Sequence, residues 1–124
     1  MTAQRVDRPI AATAEPAAAK ARDLDAIHAM DRAELGEDAY PRAFFTQALS
    51  LFGPGFRIAR LGGDPAGYAL TGRHAHGRDA ELYALLVAPQ ARGSGLGALL
   101  VRDALALAQG WGRAGLRLTV APSN

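Results

Sequence analysis

A chain of 124 residues is long enough for one domain with a modest core. Hydrophobic residues make up 49% of it, alanine supplying much of that share, and the formal net charge is only +2 with Lys20 the sole lysine, so the dense basic face of a nucleic-acid binder is not expected. The absence of cysteine excludes disulfides, thiolate metal sites and a cysteine nucleophile, and no apolar run reaches the roughly 18 residues of a membrane span. Met1 to Lys20 lacks the basic start and continuous apolar core of a secretion signal, which makes cytoplasmic residence the expectation.

In chain order, residues 1–16 mix alanine, charge and two prolines and read as a flexible arm, followed by a domain over 17–124. A short first strand is expected somewhere between Ile10 and Ala21. Asp23 is placed to cap a helix through about Leu35, with Leu24, Ile27 and Met30 recurring at helical spacing toward the core, and Gly36 stopping it. A second helix is expected from Pro41, with Phe44, Phe45, Ala48, Leu49 and Phe52 on one face, ended by Gly53-Pro54-Gly55. Phe56 to Leu61 alternates as a half-buried strand. Gly62-Gly63-Asp64-Pro65 reads as the turn of a hairpin that returns over Ala66 to Thr71.

Gly72 to Asp79 is a second loop. Its His74 and His76 read as two surface histidines rather than metal ligands, since no further ligand is near in sequence. Glu81 to Val87 is the longest strand candidate. A helix is expected from about Ser94 to Gln109, then a glycine-rich connection holding Trp111, then a last strand over Leu116 to Val120. The helix between them is long enough for that strand to run parallel to the Glu81–Val87 strand. No metal site is expected.

The most informative run is Gln90-Ala91-Arg92-Gly93-Ser94-Gly95-Leu96-Gly97, between the apolar strand and the helix. A strand, a glycine-rich turn and a helix start aim several backbone N–H groups at one spot, at the positive end of a helix dipole, and that spot suits a phosphate. The run is not a Walker loop, which needs Gly-Lys-Ser/Thr. Nor is it a dinucleotide fingerprint, because Pro89 to Arg92 intervene between strand and glycines. The pattern Gln/Arg-x-x-Gly-x-Gly/Ala instead resembles the acetyl-CoA-binding motif of the GNAT N-acetyltransferases. Gln90, Gly93 and Gly95 stand at its defining positions and Arg92, Leu96 and Gly97 match its usual accompaniment.

The resemblance covers roughly residues 17–124 and implies an α/β (α+β) fold: a mixed sheet with an N-terminal helix pair, a β-hairpin, and a strand–glycine loop–helix–strand unit. The Tyr40 to Phe45 region and the Leu118 to Asn124 ending are similar to the small single-domain enzymes that acetylate protein N-termini. The resemblance also implies transfer of an acetyl group from acetyl-CoA to an amine, with the pantetheine arm held by Leu85, Leu86 and Val87. The diphosphate would lie on Arg92, Gly93, Ser94, Gly95, Leu96, Gly97 and Ala98. Tyr40 and Phe44 fall where the family builds its acceptor wall, and Glu81 stands six residues before Val87, the offset of the general base in the histone-acetyltransferase branch. Ribosomal-type enzymes place a glutamate in the fifth strand; the matching residue is Thr119, which cannot act as a base.

In the family, further strands and a thiolate-protonating tyrosine follow a point matching Asn124. The domain is therefore expected to be incomplete at its C-terminus, as a fragment or truncated product or as one that a second copy or a completing chain covers at its exposed last strand, and the other reading of the sequence is a non-catalytic CoA-binding or interaction module.

Overall fold

The computed structural model describes residues 15–73 and 78–118. The elements are β1 (Ala17–Ala18), α1 (Leu24–Leu35), α2 (Arg42–Phe52), β2 (Phe56–Leu61), β3 (Asp64–Arg73), β4 (Asp79–Val87), α3 (Leu96–Gly110) and β5 (Gly115–Leu118). The strands form one sheet in the order β1-β2-β3-β4-β5. The first three pairings are antiparallel, and β4 and β5 pair in parallel across the α3 crossover, as expected. The arm over residues 1–14, His74, His76, Thr119 and the ending through Asn124 lie outside the described residues. No helix among the described residues is long and apolar enough to cross a membrane.

Two apolar layers sandwich the sheet. The helix pair packs on one face through Leu24, Ile27, Phe45 and Ala48, which meet Phe56, Ile58, Tyr68, Leu70 and Leu86 from the strands. α3 packs on the other face through Leu96, Leu100 and Ala104, which meet Ala59, Ala66, Ala69 and Leu82. The small residues on this second face let the helix lie close to the sheet. Arg57 leaves the same face and grips Asp103 of α3 with two hydrogen bonds, at 2.8 and 3.1 Å.

Several boundaries differ from the sequence reading for identifiable reasons. Asp23 stands at the N-cap position of α1, as expected, but its side chain makes no capping hydrogen bond to the helix. Its carboxylate accepts the Lys20 amide at 2.8 Å and pairs with Arg60, closing a single 3₁₀ turn instead. Pro41 stands one position before α2, in extended conformation, and helical geometry starts at Arg42. The hairpin turn needs only Gly62 and Gly63, both at positive φ (58° and 88°), so Asp64 and Pro65 already belong to β3. The register then shifts between Ala59 and Arg60, which absorbs the odd residue beside Pro65. As a result β3, with 10 residues, and not β4, with 9, is the longest strand.

Candidate functional site

A bulge in β4 shapes the site. Thr71 pairs with Leu82 and Leu70 with Ala84, so Tyr83 is an extra residue without a partner on β3. Its insertion turns the strand over. Leu82 packs with the α3 layer, whereas Ala84 and Leu86 pack with the helix-pair layer. On the other edge of β4, Leu82 stands opposite Leu118, the last described residue of β5. Beside the bulge lies a cleft of about 450 Å³. One wall is Tyr83 to Val87 of β4 and Arg92; the other is Asp31, Glu34, Leu35 and Tyr40, with Tyr68 and Leu118 completing it. Leu85, Leu86 and Val87, expected to face the pantetheine arm, therefore line a real opening.

The glycine loop adjoins the Arg92 end of this cleft. Pro89–Ala91 forms one 3₁₀ turn, which carries the exposed Gln90. Gly93 and Gly95 follow at φ 81° and 89°, with nothing within 4 Å of where a Cβ would stand. These two glycines serve backbone conformation and not packing. Gly97 is different: its φ is not positive, and a Cβ there would make an ordinary 3.7 Å contact with Val87.

Gly95 at positive φ delays α3 to Leu96, two residues later than the sequence suggested. Ser94 lies inside the turn. Its hydroxyl donates to the Ala91 carbonyl, and its oxygen accepts the Leu96 amide at 3.3 Å. The Arg92 and Ser94 amides are used by Pro89 and Ala91. The amides of Gly93, Gly95, Gly97 and Ala98 have no acceptor among the described residues. Two of these four are in the first turn of α3, at the positive end of its dipole. The Arg92 guanidinium pairs with Glu34 on α1.

The opposite wall holds a polar cluster that the sequence reading missed. Asp31 is fully buried. One of its oxygens accepts the Tyr68 hydroxyl at 2.5 Å, the other the Tyr40 amide at 2.8 Å. Burial first, and the hydrogen bond to Asp31 second, push the Tyr68 phenol far above its ordinary value of 10.0, so it remains a donor throughout the physiological range. The cluster fixes Tyr40, whose ring stacks on Phe44 at 4.1 Å. Tyr40 lines the cleft, while Phe44 stands behind it as support. Asp31 does leave a trace in the sequence: Leu24, Ile27 and Asp31 share one stripe of α1, and a carboxylate on a buried stripe calls for donors. Asp31→Ala should cost about 2 kcal/mol in urea unfolding, because the Tyr68 hydroxyl loses its acceptor inside the core. Tyr68→Phe in the same background should restore part of the loss.

Glu81 is also buried, at 6% exposure. It pairs with Gly72 on one side and Arg117 on the other. It is not in the wall of the cleft. A second cavity, about 530 Å³, is lined by Phe52, Tyr83, Arg73 and Trp111 among others, and Arg73 stacks over Trp111 at 5.2 Å. It is slightly larger than the cleft but has no residue of the glycine loop in its lining, whereas the cleft has Arg92. No group of three or more metal-ligating side chains occurs among the described residues.

The family model for the acetyltransferase (GNAT) family matches residues 21–124, most of the chain. The chain belongs to the GNAT family. Solved structures agree on the fold of this GNAT domain. Ard1 from Thermoplasma volcanium superposes with a TM-score of 0.79 at 18% identity, covering 90% of this chain and 74% of that one. The ribosomal-protein-S18-alanine N-acetyltransferase from Escherichia coli gives 0.73 at 21% identity, covering 90% and 70%. N-acetylglutamate synthase from Neisseria gonorrhoeae, complexed with coenzyme A and N-acetyl-glutamate, gives 0.76 at 22% identity, covering 89% of this chain and 26% of that one. No curated protein matches the GNAT chain in sequence.

Proposed function

We propose that this GNAT domain binds acetyl-CoA along β4 and the glycine loop and transfers its acetyl group to an amine, on a small molecule or on a protein. The observation that carries the reading is the set of unpaired amides at Gly93, Gly95, Gly97 and Ala98, which follow directly on Arg92 in the chain, the loop residue that lines a cleft walled by Leu85, Leu86 and Val87. Donors at a helix start beside an apolar slot suit a ligand with a diphosphate at one end and a pantetheine chain at the other. Gln90 and Ser94 shape the loop, Leu96 anchors α3 to the sheet, and Arg92 adds positive charge at the phosphate end. Tyr40, backed by Phe44, forms the acceptor side.

In the reaction the neutral amine attacks the thioester carbonyl, the new C–N bond forms, and the C–S bond breaks. The proton lost by the amine passes to Glu81, directly or through water. The departing thiolate takes a proton from water and Glu81 returns its own to water, so that one proton passes in sum from amine to thiol. Support for Glu81 is its burial on β4, the strand whose next residues line the cleft.

Titration calorimetry with acetyl-CoA tests the reading. Saturable one-to-one binding in the micromolar range is expected. A folded sample that gives no heat with acetyl-CoA or CoA would remove it. Binding without turnover of any amine would leave a coenzyme-binding module.

A further inference from the structure

We infer that the ion pair between Arg92 and Glu34 is a latch across the cleft that the coenzyme must open. The inference rests on the acetyl-CoA reading above and adds to it a change of partner at Arg92. Arg92 is the first residue after the 3₁₀ turn that ends β4, and Glu34 lies in the last turn of α1. Both line the same cleft, from opposite walls, and their side chains meet. The side chains are 54% and 29% exposed, so water screens the pair and holds it weakly.

A diphosphate on the neighbouring amides would bring at least two negative charges to the same guanidinium, in the geometry that guanidinium favours for phosphate oxygens. It would also repel the Glu34 carboxylate. Arg92 therefore exchanges partners when the coenzyme enters. Glu34 is then released toward the cleft, on the wall it shares with Tyr40, where a carboxylate attracts a protonated amine. A merely structural ion pair would instead fasten α1 to the loop and leave coenzyme affinity unchanged.

The test is CoA titration of the wild type, Glu34→Gln, Arg92→Gln, the double variant and Glu37→Gln, at one fixed ionic strength, with thermal melts to confirm folding. Glu37→Gln removes the same charge from the exposed turn after α1, where no contact with Arg92 is present. Glu34→Gln should tighten CoA binding about fivefold, the scale of an exposed ion pair. Arg92→Gln should weaken binding. In the Arg92→Gln background the Glu34 change should add less than about twofold, and Glu37→Gln alone should do no more. Unchanged or weaker CoA binding by Glu34→Gln, or the same gain without Arg92, overturns the latch while leaving the acetyl-CoA reading intact. Failure of the folded wild type and of Glu34→Gln alike to bind CoA overturns that reading, and the latch with it.

Discussion

Glu81→Gln should lower kcat for acetyl transfer by about two orders of magnitude and leave CoA affinity within about twofold. The substitution keeps the size of the side chain and removes its ability to accept a proton. Glu81 lies outside the cleft wall, so it does not contribute to the coenzyme's binding surface. A loss confined to kcat is the mark of a group needed only in the reaction itself. Thiol release measured at saturating acetyl-CoA with a simple amine acceptor provides the rate, and calorimetry the affinity. An unchanged kcat would remove Glu81 from the mechanism. A parallel loss of affinity and thermal stability would make it a structural carboxylate of the sheet.

The double substitution Gly93→Val, Gly95→Val should reduce CoA affinity about 100-fold or more. Each site requires positive φ, which costs an ordinary residue about 1–2 kcal/mol and a β-branched one more. The loop escapes that cost by turning its amides elsewhere. No atom stands near either missing Cβ, so the side chains themselves clash with nothing. The hydrophobic layers beneath are untouched, and urea unfolding should show a loss of no more than about 2–3 kcal/mol. Gly97→Ala serves as the contrast, since its added methyl makes only ordinary contact with Val87. It should retain binding within a few-fold. Equal losses at Gly97 and at the Gly93–Gly95 pair would mean that bulk, and not backbone conformation, matters in the loop.

Much of this was legible in the chain because it depends on local pattern. The apolar stripe of α2 is written in Phe45 and Ala48, and the two-layer sheet in the alternation of β2. The loop is legible because Gly93 and Gly95 interrupt an otherwise apolar strand-to-helix passage, and few residues other than glycine adopt the backbone that each requires. What was not legible depends on two segments at once. Ala80, Leu82, Ala84 and Leu86 keep an unbroken period of two in sequence, yet Tyr83 turns the strand over between Leu82 and Ala84. A bulge is a property of register, and register needs the partner strand. The same holds for the Arg92–Glu34 pair, whose members are 58 positions apart in the sequence, and for Asp31, whose donors come from the Tyr40 loop and from β3. The extent of β3 was underestimated because Pro65 signals a turn locally, whereas the register shift beside it gives a proline without an amide a place in the strand.

The central claim concerns a handful of backbone amides, and it can be tested by observing them. Amide chemical shifts of ¹⁵N-labelled protein should be followed while coenzyme A is added. The largest shifts are predicted at Gly93, Gly95, Gly97 and Ala98, with a second group along Leu85 to Val87. Shifts that instead cluster around Phe52, Arg73 and Trp111 while the loop amides stay still would contradict the account.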